Sequence, residues 1–115
     1  MNTSSKKIDR YGSADLAAGG TERPFSKVVR AGDFIYVSGQ VPAVGGEIIA
    51  GGIISQTEQV MKNIIEVLAI ADCQLEDVIK VNCWLDDPRD FTSFNSVFKK
   101  YFSKNPPARS TVQSA

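Results

Sequence analysis

The sequence predicts one α+β domain: a mixed β-sheet with two helices on one face and the other face left open. Three observations carry this. Residues 53–72 and 88–103 repeat apolar side chains at steps of three and four, as helices with one buried stripe do. Residues 27–30, 34–41 and 78–85 are rich in β-branched and aromatic residues and read as strands. With a further strand expected at Ser110-Thr111-Val112, the order is β-β-(β)-α-β-α-β. Right-handed crossovers between successive strands then put both helices on the same side of the sheet.

The 115 residues, 43% hydrophobic and 23% charged, suit one globular domain with a modest core and leave no room for a second. Thirteen basic and thirteen acidic residues cancel. Phosphate-backbone binding needs clustered Lys and Arg, so no nucleic-acid partner is expected. No apolar run approaches the roughly 18 residues of a membrane span, and residues 1–7 lack the apolar core of a secretory signal. The expectation is a soluble cytoplasmic protein with no membrane partner. Histidine is absent. That removes a Ser-His-Asp triad, a Cys-His pair, a His-containing zinc site and a two-His facial triad from this chain. Cys73 and Cys83 have no metal spacing and read as packing thiols rather than a disulfide. No metal and no cofactor is expected, so the chemistry must use carboxylates, Lys, Arg, Tyr, hydroxyls or backbone groups.

In chain order, residues 1–7 are polar and expected to fray, 8–11 start a first strand, and 12–22 form a loop containing glycine and alanine. Residues 27–30 and 34–41 read as a hairpin across Ala31-Gly32-Asp33. Its second strand has Phe34 and Tyr36 on one face and Ile35, Val37 and Val41 on or near the other, so it is expected to be buried on both sides. Gly39 marks either a bulge or a close approach to the backbone. Residues 42–52 read as a turn, a short extended piece and another turn. The first helix buries Thr57, Val60, Met61, Ile64, Ile65, Leu68 and Ala71, with Glu58 and Lys62 forming an i,i+4 pair on its outer face. Either Gly52 supplies its N-cap or a Ser55-x-x-Glu58 box starts it later.

The strand over 78–85 is expected to turn Ile79, Val81, Cys83 and Leu85 toward the helices, and Val78, Lys80, Asn82 and Trp84 away from them. Asp87-Pro88 opens the second helix with an N-cap acid and an N1 proline. Its stripe of Phe91, Phe94, Phe98, Tyr101 and Phe102 reads as core packing rather than a cofactor box. An open sheet face carrying Tyr36, Trp84 and Val78 predicts an oligomer.

The candidate site is Asn105-Pro106-Pro107-Ala108-Arg109-Ser110-Thr111-Val112. The prolines stiffen the approach and bias the preceding residue to extended geometry. Arg109 then stands where a loop becomes a strand, near the uncovered sheet face. Its guanidinium can fork onto a carboxylate through two parallel hydrogen bonds; the competing reading is a surface salt bridge.

These residues resemble the RidA/YjgF family of imine deaminases. The resemblance lies in Ser38-Gly39-Gln40-Val41-Pro42, Gln56-Thr57-Glu58-Gln59 followed by Asn63, the second helix with Asn95, and Pro107-Ala108-Arg109-Ser110-Thr111-Val112. It implies a chorismate-mutase-like fold, a homotrimer with a central β-barrel, and active sites in the clefts between subunits. It also implies hydrolysis of enamine and imine acids, of the 2-aminoacrylate and 2-iminopropanoate type, to a 2-keto acid and ammonia. By resemblance Arg109 grips the substrate carboxylate, backbone groups near Gly39 and Thr111 hold substrate and water, and Ser38, Asn95 and Phe25 belong to the site. The catalytic pair is thus expected to be Arg109 and Thr111.

Three departures stand out. Arg23-Pro24-Phe25 replaces a usual Gly-Pro-Tyr, removing a phenol, and Thr111 replaces a frequent cysteine. The family continues beyond the position of Ala115 into a strand with a water-orienting glutamate, which is expected to follow these residues. Arg23 either narrows the cleft, adds a carboxylate contact or is solvated. An alternative function is a non-catalytic trimeric binding module for small 2-keto acids. An endoribonuclease reading, attached to some members of the family, has little physical support from zero net charge and no histidine.

Overall fold

The computed structural model describes residues 7–12 and 23–114; the expected frayed residues 1–6 and the loop residues 13–22 lie outside them. The strands are β1 (Ile8–Tyr11), β2 (Val28–Ala31), β3 (Phe34–Val37), β4 (Ala43–Val44), β5 (Glu47–Ile48), β6 (Lys80–Leu85) and β7 (Ala108–Gln113). The helices are α1 (Ile53–Ile70), between β5 and β6, and α2 (Phe91–Tyr101), between β6 and β7. α2 is preceded by a 3-10 turn, Pro88–Asp90, which Asp87 opens by accepting from the Arg89 amide, as the Asp-Pro signal predicts.

β1, β2 and β3 form an antiparallel sheet in that order. The β2–β3 hairpin turns over Gly32-Asp33, where Gly32 carries φ +61°, the sign that a primed hairpin turn demands. β3 stops at Val37, four residues short of the expected end. Beyond it the Ser38 amide donates to the Lys27 carbonyl, and the Ser38 hydroxyl donates to the Ser26 carbonyl, bending the chain off the sheet. Gly39 therefore lies outside any strand, with open space where a side chain would stand, and the bulge reading is overturned. β4 and β5 form a small hairpin of their own over Gly45-Gly46, tied to α1 because the Asn63 amide donates to the Val41 and Ala43 carbonyls.

α1 takes the Gly52 start rather than the Ser55 box. It serves two cores, and this rotates its buried face along its length. Met61 packs with Leu85, Phe94, Phe98 and Phe102, whereas Val67 and Ala71 pack with the fully buried Val28. Val67 is thus inside although the expected stripe omits it, and Ile65, expected inside, is exposed. β6 and β7 pair in parallel across α2, with Val81, Cys83 and Leu85 turned to the first core. One phase error is corrected here: the 3-10 turn Leu75–Asp77 shifts the pleat, so Val78 packs inward and Ile79 is 68% exposed.

The expected Glu58–Lys62 pair gives way to a clamp between helices. Glu58 pairs with the Lys100 ammonium of α2, and its Oε2 accepts from the Tyr101 hydroxyl at 2.6 Å. The Lys100 bond, then the Tyr101 bond, hold the Glu58 carboxyl below its ordinary range. A carboxyl depressed in this way stabilises the fold above its unfolded-state pKa, and that contribution disappears as pH falls through the folded value. Glu58→Gln should therefore flatten the acid limb of the urea midpoint plotted against pH. An acid limb unchanged in the variant would place the pH dependence elsewhere.

The sheet faces away from the helices are bare. Phe34, Tyr36, Trp84 and Val112 are 48–65% exposed there, so the two-sided burial expected for β3 is absent within the chain. No helix among the described residues is long and apolar enough to cross a membrane.

Candidate active site

β7 reaches the site by a reversal. After α2 the chain turns through Asn105 at φ +51°, then Pro106-Pro107 lead into the strand. Asn105 is not extended as its place before proline suggests, because the chain must reverse there and asparagine tolerates the left-handed region. The register sets Arg109 beside Val81 and Thr111 beside Cys83. Alternation then turns Arg109 and Thr111 toward α2, while Ala108, Ser110 and Val112 face the open side. The expectation that Arg109 lies near the uncovered face is corrected: it stands on the helix side.

There the guanidinium rests on an aromatic bed. Arg109 Cζ lies 4.8 Å from the ring centroid of Phe98, 5.6 Å from Phe91 and 5.7 Å from Phe94. Each cation–π contact is worth about 0.5–2 kcal/mol and orients the fork without neutralising it. The salt bridges among the described residues are Arg89–Asp87 and Lys100–Glu58, so Arg109 has no carboxylate partner there and the ion-pair reading is not realised. A groove of about 460 Å³ opens beside it, between Asn95, Phe98 and Lys99 of α2 and Pro106-Pro107. Asn95 Oδ1 is buried with no hydrogen bond. Leaving such an oxygen unpaired costs roughly 1–3 kcal/mol, so the groove holds an unused acceptor beside an unused cation.

Thr111 Oγ1 is likewise buried. It lies beside the Cys83 thiol and pulls on it, yet makes no hydrogen bond of ordinary geometry. Burial pushes the Cys83 thiol up, outweighing the Thr111 hydroxyl and the Arg109 charge, so Cys83 stays a protonated packing thiol.

The other expected site residues lie apart. Ser38 spends its hydroxyl on the Ser26 carbonyl, Gly39 borders open space, Phe25 is exposed, and none of the three lines the Arg109 groove. Arg23 has a buried, unpartnered Nε and sits against Gly46 of the β4–β5 hairpin rather than in the groove. Sequence reasoning missed Lys99 and the second role of Phe98. The signal available was spacing, since Asn95 and Lys99 are one helical turn apart beside Phe98.

An oriented, half-buried guanidinium with a free amide oxygen in a small groove can take a planar anion bearing an N–H donor. Comparison with known proteins supplies the class. The family model described as Endoribonuclease L-PSP matches residues 16–115. A RutC family protein of Pyrococcus horikoshii is 42% identical over 92 residues, 78% of this chain and 73% of that protein. The human 2-iminobutanoate/2-iminopropanoate deaminase is 36% identical over 100 residues, 85% of this chain and 73% of its own length. The crystal structure of yeast Mmf1, 35% identical, superposes with a TM-score of 0.85 over 95% of this chain and 86% of that one. The chain belongs to this family, the RidA/YjgF family of small α+β proteins.

Proposed function

We propose that the protein hydrolyses small 2-imino acids, and enamine tautomers such as 2-aminoacrylate, to a 2-keto acid and ammonia. One observation carries the reading: Arg109 is held on three aromatic rings, facing a groove, with no anion of the described chain to neutralise it. The human relative's deaminase name supports it. Arg109 takes the substrate carboxylate through two parallel hydrogen bonds, and Asn95 Oδ1 accepts from the imine N–H. The Thr111 hydroxyl positions water. The water oxygen bonds to the imine carbon while the C=N π pair moves to nitrogen, which gains a proton. The resulting carbinolamine breaks its C–N bond, releasing ammonia as the carbonyl forms. The imine carbon is already electrophilic, so positioning supplies much of what the reaction needs.

The assembly we propose is a homotrimer with a central β-barrel, its active sites between subunits. The bare Phe34, Tyr36, Trp84 and Val112 support it, as does the distance of Ser38, Gly39 and Phe25 from their own chain's groove, since a neighbour could supply them as the opposite wall. Trp84→Glu should then lower the mass measured by light scattering to that of a monomer; an unchanged mass would exclude this face as the interface.

The function is tested by adding the protein to a dehydratase that generates 2-aminoacrylate. Faster release of ammonia with matching keto acid is expected. Keto-acid binding without acceleration would instead favour the binding module.

A further inference from the structure

The Arg109 groove contains a second cation that anchoring one carboxylate leaves unused. Lys99 lines it one turn beyond Asn95 on α2. Its neighbour Lys100 is tied to Glu58, but Lys99 pairs with no carboxylate among the described residues. Two unneutralised cations in one groove repel each other, and a dianion relieves that repulsion where a monoanion relieves only half of it. Phe98 and Phe102 form the apolar wall, which suits a short methylene chain. The two cations also differ in kind. Arg109 presents a fixed planar fork, fitted to a carboxylate held coplanar with its imine, while Lys99 is a point charge on a flexible stem that can follow a distal carboxylate.

We propose that this groove selects 2-imino dicarboxylates, with Arg109 on the carboxylate next to the imine and Lys99 on the distal one. This rests on the imine-hydrolase reading for turnover but not for binding, and the two are tested separately. Lys99 also lies in the last turn of α2, where any cation favours the helix dipole. That structural role would not distinguish between ligands, so the readout is a ratio.

Binding is measured by calorimetry with 2-oxoglutarate and 2-oxobutanoate on the intact protein, Lys99→Gln and Lys99→Arg. The expected result is 2-oxoglutarate at least tenfold tighter in the intact protein, a ratio near one in Lys99→Gln, and recovery of most of the preference in Lys99→Arg. The preference should shrink as salt rises, because exposed charges are screened. Equal affinities in the intact protein, or a preference that survives Lys99→Gln, would overturn the inference. Ammonia release is then compared for imines generated in place from glutamate and alanine by amino-acid oxidases. Dicarboxylate preference without any acceleration refutes the deaminase reading alone. Acceleration with no dicarboxylate preference refutes this inference alone.

Discussion

Replacing Arg109 by alanine should lower kcat/KM for 2-iminopropanoate at least about a hundredfold while the protein stays folded. A hydrogen bond to a charged partner is worth about 1.5–3 kcal/mol, and two parallel ones on a carboxylate correspond to two decades or more in rate. Stability should change far less. The variant loses stacking on Phe91, Phe94 and Phe98 but no ion pair, since no described carboxylate holds Arg109. Lysine restores the charge without the fork or the flat stacking surface, so Arg109→Lys should remain roughly tenfold or more below the original. Ammonia release and urea midpoints measured on the same preparations check both halves. Activity within threefold of the original in a folded Arg109→Ala protein would remove the anchor from the mechanism.

Phe98→Ala should be the most destabilising single change at the site, costing about 3–5 kcal/mol. Phe98 is 6% exposed and stacks between Phe94 and Phe102, with ring centroids at 5.8 Å and 4.7 Å. Its other face carries the guanidinium, so one ring belongs to both core and site. Phe98→Leu separates those roles. It keeps most of the volume and should cost less than about 1.5 kcal/mol, yet it removes the π face that orients Arg109. The expected outcome is near-normal stability with keto-acid affinity weakened several-fold. Full affinity in Phe98→Leu would mean that the ring only fills space.

The helices, the first hairpin, the parallel β6–β7 pair and the open sheet face were legible because each follows from periodicity and turn chemistry over a few residues. The errors came where tertiary context acts on single positions. Val67 is buried because α1 bridges two cores, which no single helical stripe encodes. Val78 and Ile79 exchange faces because a 3-10 turn resets the pleat just before β6. Glu58 prefers Lys100 and Tyr101 of another helix to Lys62 of its own, a choice made by helix packing. At the site, Arg109 was found from its motif, but the side of the sheet it occupies depends on a register set by a distant strand. The groove between α2 and the proline pair is likewise a product of that packing, so Lys99 could not be singled out from its composition or charge.

The most direct measurement is a titration of the protein with 2-oxobutanoate, followed by NMR at the Arg109 side-chain Nε–H and the Phe98 ring. A carboxylate forked onto Arg109 predicts saturable shifts at both groups with one affinity, the same as that found by calorimetry, and none in Arg109→Lys. Binding seen by calorimetry with both groups unmoved would contradict it and put the carboxylate elsewhere on the molecule.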